Sequence, residues 1–184
     1  MTDTDHNPNS DKDTLETPRL RLRRHRLADF DASAALWADE KVTRYIAGRP
    51  STREEAWRRF LGYAGHWNLC GYGMWVVEEK ATGAYAGEIG FADFKREQEP
   101  PLDAPAEGGW VIAPWAQGKG YATEAVTAAL AWTDQRFRWP RTGCVIEPQN
   151  PASVQVARKC GYRDGGRARY KDQELLVFYR KRFG

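Results

Sequence analysis

Cysteine, long apolar runs and an excess of charge of one sign are all scarce in this chain of 184 residues. No stretch approaches the roughly 18 consecutive apolar residues of a membrane-spanning helix, so a membrane protein is not expected. The formal net charge is only +3, too small to indicate nucleic acid or a membrane surface as the partner. Because the first residues lack the basic-then-apolar order of a secretion signal, a cytoplasmic location is expected.

The three cysteines, Cys70, Cys144 and Cys160, are odd in number and lack the spacing of metal ligands. We expect all three to be buried small apolar side chains in a reducing compartment, and we expect no metal site. Hydrophobic residues make up 41% of the chain, which is enough for a packed core. The length favours one domain.

The N-terminal segment is polar and then becomes strand-like. Residues 1–17 are expected to form a disordered tail, which leaves residues 18–184 as a single domain. From Arg19 to Arg23 arginine alternates with leucine, which is the period of a half-buried strand. The arginines between Arg19 and Arg26 allow two interpretations, an anion-binding patch or the solvated face of an early or edge strand, and the second is favoured.

Periodicity and turn residues predict the elements of the remaining chain. The predicted helices lie at 29–37, 39–45, 51–66, 123–137 and 152–160, and residues 51–55 have the form of a capped helix start. The predicted strands lie at 72–79, 85–94, 107–112, 142–147, 162–170 and 174–182. The charged, proline-containing segment 95–105 is predicted to be a loop. Strands alternate with helices in the C-terminal half, which implies a mixed α/β sheet covered by helices.

The stretch from Gln117 to Ala122 reads QGKGYA and is the most informative part of the chain. It follows a strand-like run that ends at Ile112 and precedes a helical run that begins at Thr123. The first backbone N–H groups of a helix have no partner inside the helix and carry a partial positive charge. Glycines allow the backbone to approach a ligand closely. The stretch therefore predicts a pyrophosphate site.

Three blocks of sequence resemble the GNAT superfamily of acyl-CoA-dependent N-acetyltransferases. Gln117, Gly120 and Ala122 match the family's pyrophosphate pattern. The surrounding sequence most resembles the branch that contains the ribosomal-protein N-terminal acetyltransferases RimJ and RimL. The second block is Asn150-Pro151-Ala152-Ser153 followed by Lys159-Cys160-Gly161-Tyr162, and the third is Thr17-Pro18-Arg19-Leu20-Arg21-Leu22. The resemblance covers about residues 15–183.

Other interpretations of the glycine turn are weaker. A dinucleotide-binding fold would place its third glycine at position 123, which is Thr123, and would need an acidic residue after a following strand. A nucleotide-triphosphate P-loop would need Gly-Lys-Ser or Gly-Lys-Thr after four spacer residues, and this is missing. An ordinary strand-to-helix turn remains as the alternative without a ligand.

The resemblance implies the fold, the acetyl donor and the residues that hold it. The fold would be the GNAT α/β (α+β) type, a central mixed, mostly antiparallel sheet with splayed central strands, flanked by helices. The donor would be acetyl-CoA, with CoA as product. The backbone of Gly118, Lys119, Gly120, Tyr121 and Ala122 would hold the pyrophosphate. The splayed edge at Trp110, Val111 and Ile112 would pair with the amide-containing arm of CoA, and one N–H there would face the thioester oxygen. Asn150 would reach the same arm, or would only cap a helix.

The catalytic residues are less fixed by the sequence. An amine acceptor needs a base, and both Glu107 and Glu88 are candidates, with Glu107 preferred. Either one could instead be a surface carboxylate, and a water chain could serve as base. The family tyrosine that protonates the leaving thiolate corresponds to Ala157 here, while Ser153 matches a serine of the RimL-like branch and would bond the sulfur. Tyr162 is expected in the core.

The acceptor is expected to be a primary amine: a protein N-terminus, a polyamine, an amino acid or a drug. The branch resemblance favours a peptide or small-molecule α-amine. Residues 42–66, the 95–105 loop and the C-terminal hairpin are expected to recognise it. The main rival is a non-catalytic module that binds acyl-CoA as a sensor or scaffold. A homodimer is left open, and nucleic acid and membranes are not expected as partners.

Overall fold

One mixed sheet organises the part of the chain that the computed structural model describes, residues 11–182. The strands are β1 (Leu15–Glu16), β2 (Leu20–Arg23), β3 (Met74–Glu79), β4 (Tyr85–Ala92), β5 (Gln98–Glu99), β6 (Glu107–Ile112), β7 (Arg141–Ile146), β8 (Arg163–Tyr170) and β9 (Gln173–Lys181). The α-helices are α1 (Phe30–Ala38), α2 (Glu40–Thr43), α3 (Arg53–Cys70), α4 (Tyr121–Arg136) and α5 (Pro151–Lys159). These elements follow the predicted ones, with α4 beginning at Tyr121 instead of Thr123.

The strand order is β1-β2-β3-β4-β6-β7-β9-β8-β5. Neighbouring strands are antiparallel except β6 and β7, which are parallel. Strand β6 pairs with β4 along its whole length, but with β7 only at Glu107 and Gly143. The two central strands therefore separate beyond that pair, and the expected mixed, mostly antiparallel sheet with splayed central strands is confirmed.

Two apolar clusters cover the two faces of the sheet around β6. Trp110 packs against the cluster that contains Ala125 and Ala129 of α4. Val111 belongs to the other cluster, with Trp37 of α1 and Ala56 of α3. Because successive residues of a strand point to opposite faces, α4 and the α1–α3 segment lie on opposite sides of β6.

Helix α3 shows how the local sequence sets an element. The hydroxyl of Thr52 accepts the Glu55 backbone N–H, and the Glu55 carboxylate accepts the Thr52 backbone N–H. This reciprocal cap satisfies two backbone donors that the helix leaves free. The helix ends at Gly71, whose φ of 74° is left-handed and suits glycine. The predicted capped start is confirmed.

Three predictions need correction. The tail does not extend to residue 17: β1 pairs with β2, and the backbone oxygen of buried Asp13 accepts the indole N–H of Trp75. Residues 1–10 of the predicted tail lie outside the described residues. The 95–105 segment contains β5, which adds to the free edge of β8. Cys70, the last residue of α3, is exposed, whereas Cys144 and Cys160 are buried as expected. No helix within residues 11–182 is long and apolar enough to cross a membrane.

Candidate active site

The turn before α4 presents free backbone amides to solvent. Gly118 and Gly120 have φ values of 75° and 80°, the left-handed conformation that glycine adopts without strain. Gly120 is the N-cap of α4, and among the described residues no side chain caps the helix. The first helical bond runs from the Glu124 N–H to the Gly120 oxygen, at 3.1 Å. The N–H groups of the first turn therefore remain available, and this backbone fits a diphosphate.

Arg19, which directly precedes β2, contacts this turn through its side chain. Its guanidinium pairs with the carboxylate of Glu124 at 2.6 Å and donates to the Lys119 carbonyl at 2.9 Å. Thr17 also donates to Glu124, at 2.6 Å. In a trans peptide the carbonyl and the following N–H point in opposite directions. Binding the Lys119 carbonyl on one side thus directs the Gly120 N–H to the other.

Aromatic and basic side chains border the same turn. The Tyr121 hydroxyl donates to Glu79 at 2.6 Å, so this hydroxyl is already engaged within the protein. The Lys119 ammonium lies 4.8 Å from the centre of the Trp115 ring and 3.9 Å from Glu79. With Arg19, Lys119 places positive charge beside an anion site.

The open edge of β6 carries alternate main-chain groups. The Ala113 N–H donates to the Ala86 oxygen at 2.9 Å, and this sets which groups face β4. Because antiparallel hydrogen bonds alternate, the main-chain groups of Val111 also face β4. Those of Trp110 and Ile112 face the gap that opens where β6 and β7 separate, which we call the splay. The prediction for the edge is therefore corrected for Val111. The Gln117 carboxamide donates to the Ile112 carbonyl at 3.0 Å, which anchors the turn to the strand.

Asn150 and Ser153 lie at the other side of the splay, at the start of α5. The Asn150 side-chain oxygen accepts the Ser153 backbone N–H at 3.1 Å, so the capping role is present. The Ser153 hydroxyl oxygen accepts the indole N–H of Trp110 at 3.2 Å. Two of the residues predicted for the site, one from β6 and one from α5, are thus in direct contact.

Tyr162 is fully buried, as predicted, and its hydroxyl lies 3.0 Å from that of Thr142. Burial strongly raises the pKa of Tyr162. Its hydroxyl would lie 3.0 Å from a Cβ at Gly108, so β6 has little room for a side chain there. Ala157, at the position of the family tyrosine, is also fully buried.

Glu88 lies inside the protein on the α1 side of the sheet, with no exposed surface. Its carboxylate accepts hydrogen bonds from the Ser33 hydroxyl (2.6 Å), the Trp37 indole (2.8 Å) and the Tyr85 hydroxyl (2.6 Å). Burial opposes the charged form, but the nearby His25 ring and the two hydroxyls outweigh it and lower the pKa of Glu88 to about 2. An enclosed carboxylate with this pKa is a weak base.

Glu107 is the first residue of β6, pairs with Gly143 of β7 and is 6% exposed. Arg96 donates to both of its carboxylate oxygens, at 2.8 and 3.1 Å. Burial raises the pKa of Glu107, and the Arg96 pair offsets only part of that effect. Glu107 therefore has the more basic carboxylate of the two candidates.

A pocket of about 520 Å³ opens at the C-terminal end of β7. It is lined by Arg44, Tyr45, Glu147, Pro148, Gln149, Gln173 and Glu174. Two of the three segments expected to recognise the acceptor, residues 42–66 and the C-terminal hairpin, contribute to it. The 95–105 loop is not among its lining residues, and the contribution of residues 147–149 was not predicted. Trp37, Trp67 and Trp75 are buried in the core and are not among the lining residues.

Sequence reasoning missed three side chains that the fold brings to the site: Arg19, Arg96 and Glu147. The arginine alternation near residue 19 pointed to a strand face, and nothing in it indicated a contact with Glu124, 105 residues away. Glu147 is the last residue of a predicted strand, and functional residues are frequent in the loops that follow strands, but this position alone does not indicate a function.

Within residues 11–182, no cluster of His, Cys, Asp or Glu is placed to hold a metal ion.

A strand that separates from its parallel neighbour and leads into an uncapped helix start is the arrangement that the GNAT resemblance implies for the cofactor site. The family model of the acetyltransferase (GNAT) domain matches residues 19–163, so the chain belongs to the GNAT family of acetyltransferases.

Individual proteins are similar to this chain over most of its length. The chain is 29% identical over 177 residues to the uncharacterized protein YkkB of Bacillus subtilis, covering 94% of this chain and 98% of YkkB. An acetyltransferase structure from Agrobacterium tumefaciens is 30% identical, with a TM-score of 0.78 over 90% of this chain and 92% of the other. RimL, the ribosomal L7/L12 α-N-protein acetyltransferase, in complex with coenzyme A, has a TM-score of 0.75 over 91% of this chain and 97% of RimL. At 18% identity, RimL shows a common fold alone.

Proposed function

We propose that this acetyltransferase moves the acetyl group of acetyl-CoA directly to a primary amine. The observation that carries the proposal is the continuity of β6 with the uncapped turn at residues 117–122: one open strand edge leads into one row of free amides. A molecule with an amide-containing arm and a diphosphate matches both parts. The RimL structure, which has the same fold, holds coenzyme A.

In this proposal the cofactor is held by the backbone of residues 118–122, the edge groups of Trp110 and Ile112, and Asn150. When bound, acetyl-CoA supplies a thioester-activated acetyl group. The amine nitrogen bonds to the carbonyl carbon, the C–S bond breaks, the nitrogen loses a proton to a base, and sulfur leaves as the thiol after gaining a proton. No covalent enzyme intermediate is required.

The backbone N–H of Trp110 is the hydrogen-bond donor for the thioester oxygen, which gains negative charge in the transition state. This backbone N–H faces the splay and lies beyond the Glu107–Gly143 pair. A fixed backbone donor at the place where charge develops stabilises the transition state without reorganisation. Ser153 acts on the leaving sulfur: its oxygen already accepts from Trp110, so its hydrogen is available to donate.

Glu107 is the proposed base, acting through water, and Glu88 is not. Glu107 retains slight exposure and a raised pKa, whereas Glu88 is enclosed by donors and its pKa is lowered to about 2. A base whose pKa lies closer to neutral accepts a proton more effectively. Glu88 serves instead to join α1 to the sheet through Ser33 and Trp37.

The test is release of free thiol when the full chain is incubated with acetyl-CoA and a panel of amines: peptides with a free N-terminus, amino acids, spermidine and aminoglycosides. Release that depends on one class of amine supports the proposal. The paired state of Glu107 and the alanine at 157 favour one alternative, a sensor that binds acyl-CoA without catalysis. Calorimetric binding of acetyl-CoA with no release on any amine would support that alternative.

A further inference from the structure

The pocket beside the splay carries two opposite charges that the protein leaves unpaired. We infer that it binds the acceptor and selects a free α-amino acid, with Glu147 facing the amine and Arg44 facing the carboxylate. This inference rests on the proposed acetyl transfer and adds the class of acceptor to it.

The position of the pocket fits the acceptor side of the reaction. Glu107 and Gly143 are parallel partners, so Val111 and Glu147, each four residues further on, lie at corresponding levels on the two sides of the splay. Cys144 and Ile146 of β7 point into the cluster that contains α4, and Glu147 lines the pocket. The pocket wall at Pro148 and Gln149 continues directly into the start of α5.

The charges of Arg44 and Glu147 are the evidence that the ligand carries both an ammonium and a carboxylate group. Within residues 11–182 neither the Arg44 guanidinium nor the Glu147 carboxylate has an ion-pair or hydrogen-bond partner, and the two do not pair with each other. The remaining charged side chain of the lining, Glu174, is bound by Arg167. A pocket that holds one free cation and one free anion is complementary to a ligand that carries both charges.

Other acceptors match the pocket less well. A polyamine would bring a second cation toward Arg44, and like charges brought together disfavour binding. A simple amine would leave Arg44 without a partner. Tyr45, Gln149 and Gln173 add neutral hydrogen-bonding groups. The volume, about 520 Å³, is within the usual range for a small-molecule site and accommodates a single amino acid.

The experiment measures thiol release by the full chain with acetyl-CoA and each of the standard L-amino acids, each compared with its own carboxamide. The amide retains the amine and removes the carboxylate. We expect at least one amino acid to be acetylated with a kcat/KM about tenfold or more above that of its amide, because a charge-assisted hydrogen bond is lost. Arg44→Gln should remove this preference by raising the KM for the amino acid, with kcat and the amide kinetics little changed.

Controls separate recognition from folding. Arg138→Gln removes an exposed arginine that precedes β7, at the end of the strand opposite Glu147, and should leave the preference intact. Glu147→Gln should raise the KM for amino acid and amide alike. Calorimetric titration of the protein–CoA complex with the preferred amino acid gives a readout without turnover, and this binding should weaken in Arg44→Gln.

The outcomes distinguish this inference from the function on which it rests. Equal rates for acid and amide, a preference for spermidine or for peptides, or an Arg44→Gln variant with unchanged preference would each overturn the amino-acid assignment while leaving acetyl transfer in place. Release of thiol from no amine at all would overturn the proposed function, and the amino-acid assignment with it.

Discussion

The indole N–H of Trp110 donates to the hydroxyl oxygen of Ser153 at 3.2 Å, and this bond joins β6 to α5 across the splayed strands. The Ser153 backbone N–H is held at the same time by the Asn150 side chain. The serine is therefore fixed from two directions, with its hydroxyl hydrogen left to donate. This arrangement provides a defined donor at the place where the leaving sulfur is expected.

The Ser153→Ala variant tests that donor. We expect kcat to fall about tenfold, because the hydroxyl bonds the sulfur mainly as it becomes a thiolate. The Kd for acetyl-CoA should stay within about twofold, since the backbone amides and the Asn150 cap are retained. Steady-state rates and calorimetry on the same preparation measure both quantities. Unchanged turnover would remove Ser153 from the mechanism.

Arg19 is predicted to be a positioning residue for the cofactor turn. Arg19→Ala releases the Lys119 carbonyl and leaves Glu124 without its cation, so the amides at residues 118–122 lose their fixed orientation. The Kd for CoA should rise about tenfold. Arg21→Ala is the matched control, because Arg21 lies two residues further on, in β2, and among residues 11–182 its guanidinium pairs with exposed Glu16 alone. Equal affinity in the two variants would contradict the positioning role.

Glu107 predicts a pH dependence. A base acts only when deprotonated, so kcat/KM should rise with pH through the pKa of Glu107, which burial places above its ordinary value of 4.5. Glu107→Gln should lower kcat/KM about a hundredfold and remove that rise. Rate profiles of both proteins provide the comparison. A variant that keeps the wild-type rate and profile would show that another group is the base.

Glu88 predicts an effect on stability in acid. Its pKa in the folded protein, about 2, lies below the ordinary value of 4.5, so the carboxylate stabilises the fold above pH 4.5. That contribution should be lost as the pH falls from about 4.5 to about 2. Glu88→Gln should lower the free energy of unfolding by about 2 kcal/mol at pH 7. The amide accepts fewer hydrogen bonds than the carboxylate, so one of the buried donors around residue 88 is left without an acceptor.

Denaturant unfolding of wild type and variant at several pH values isolates the Glu88 contribution, because the other carboxylates are common to both. The difference between the two should shrink as the pH falls below 4.5. A difference that is constant with pH would mean that the Glu88 carboxylate carries no net charge effect in the folded protein.

Local sequence predicted the parts of this molecule that local chemistry determines. The Thr52–Glu55 cap of α3, the cap of α5 at Asn150 and the glycine turn each depend on residues within a few positions of one another. Strand periodicity also predicted the elements that form the sheet.

The rest depended on contacts between distant segments. The Arg19–Glu124 pair and the enclosure of Glu88 by Ser33, 55 residues away, arise only after the sheet and helices assemble. The pocket between Arg44 and Glu147 is likewise a product of topology. The edge assignment failed at Val111 because the hydrogen-bond register of β6, which alternates every residue, is fixed by its pairing with β4.

A crystal structure of the full chain soaked with CoA shows directly whether the turn at residues 118–122 holds the diphosphate. Diphosphate oxygens are expected about 3 Å from backbone nitrogens of residues 118–122, with the amide arm along Trp110 and Ile112. Diphosphate bound at another surface, with that turn empty, would show that the turn is not the cofactor site.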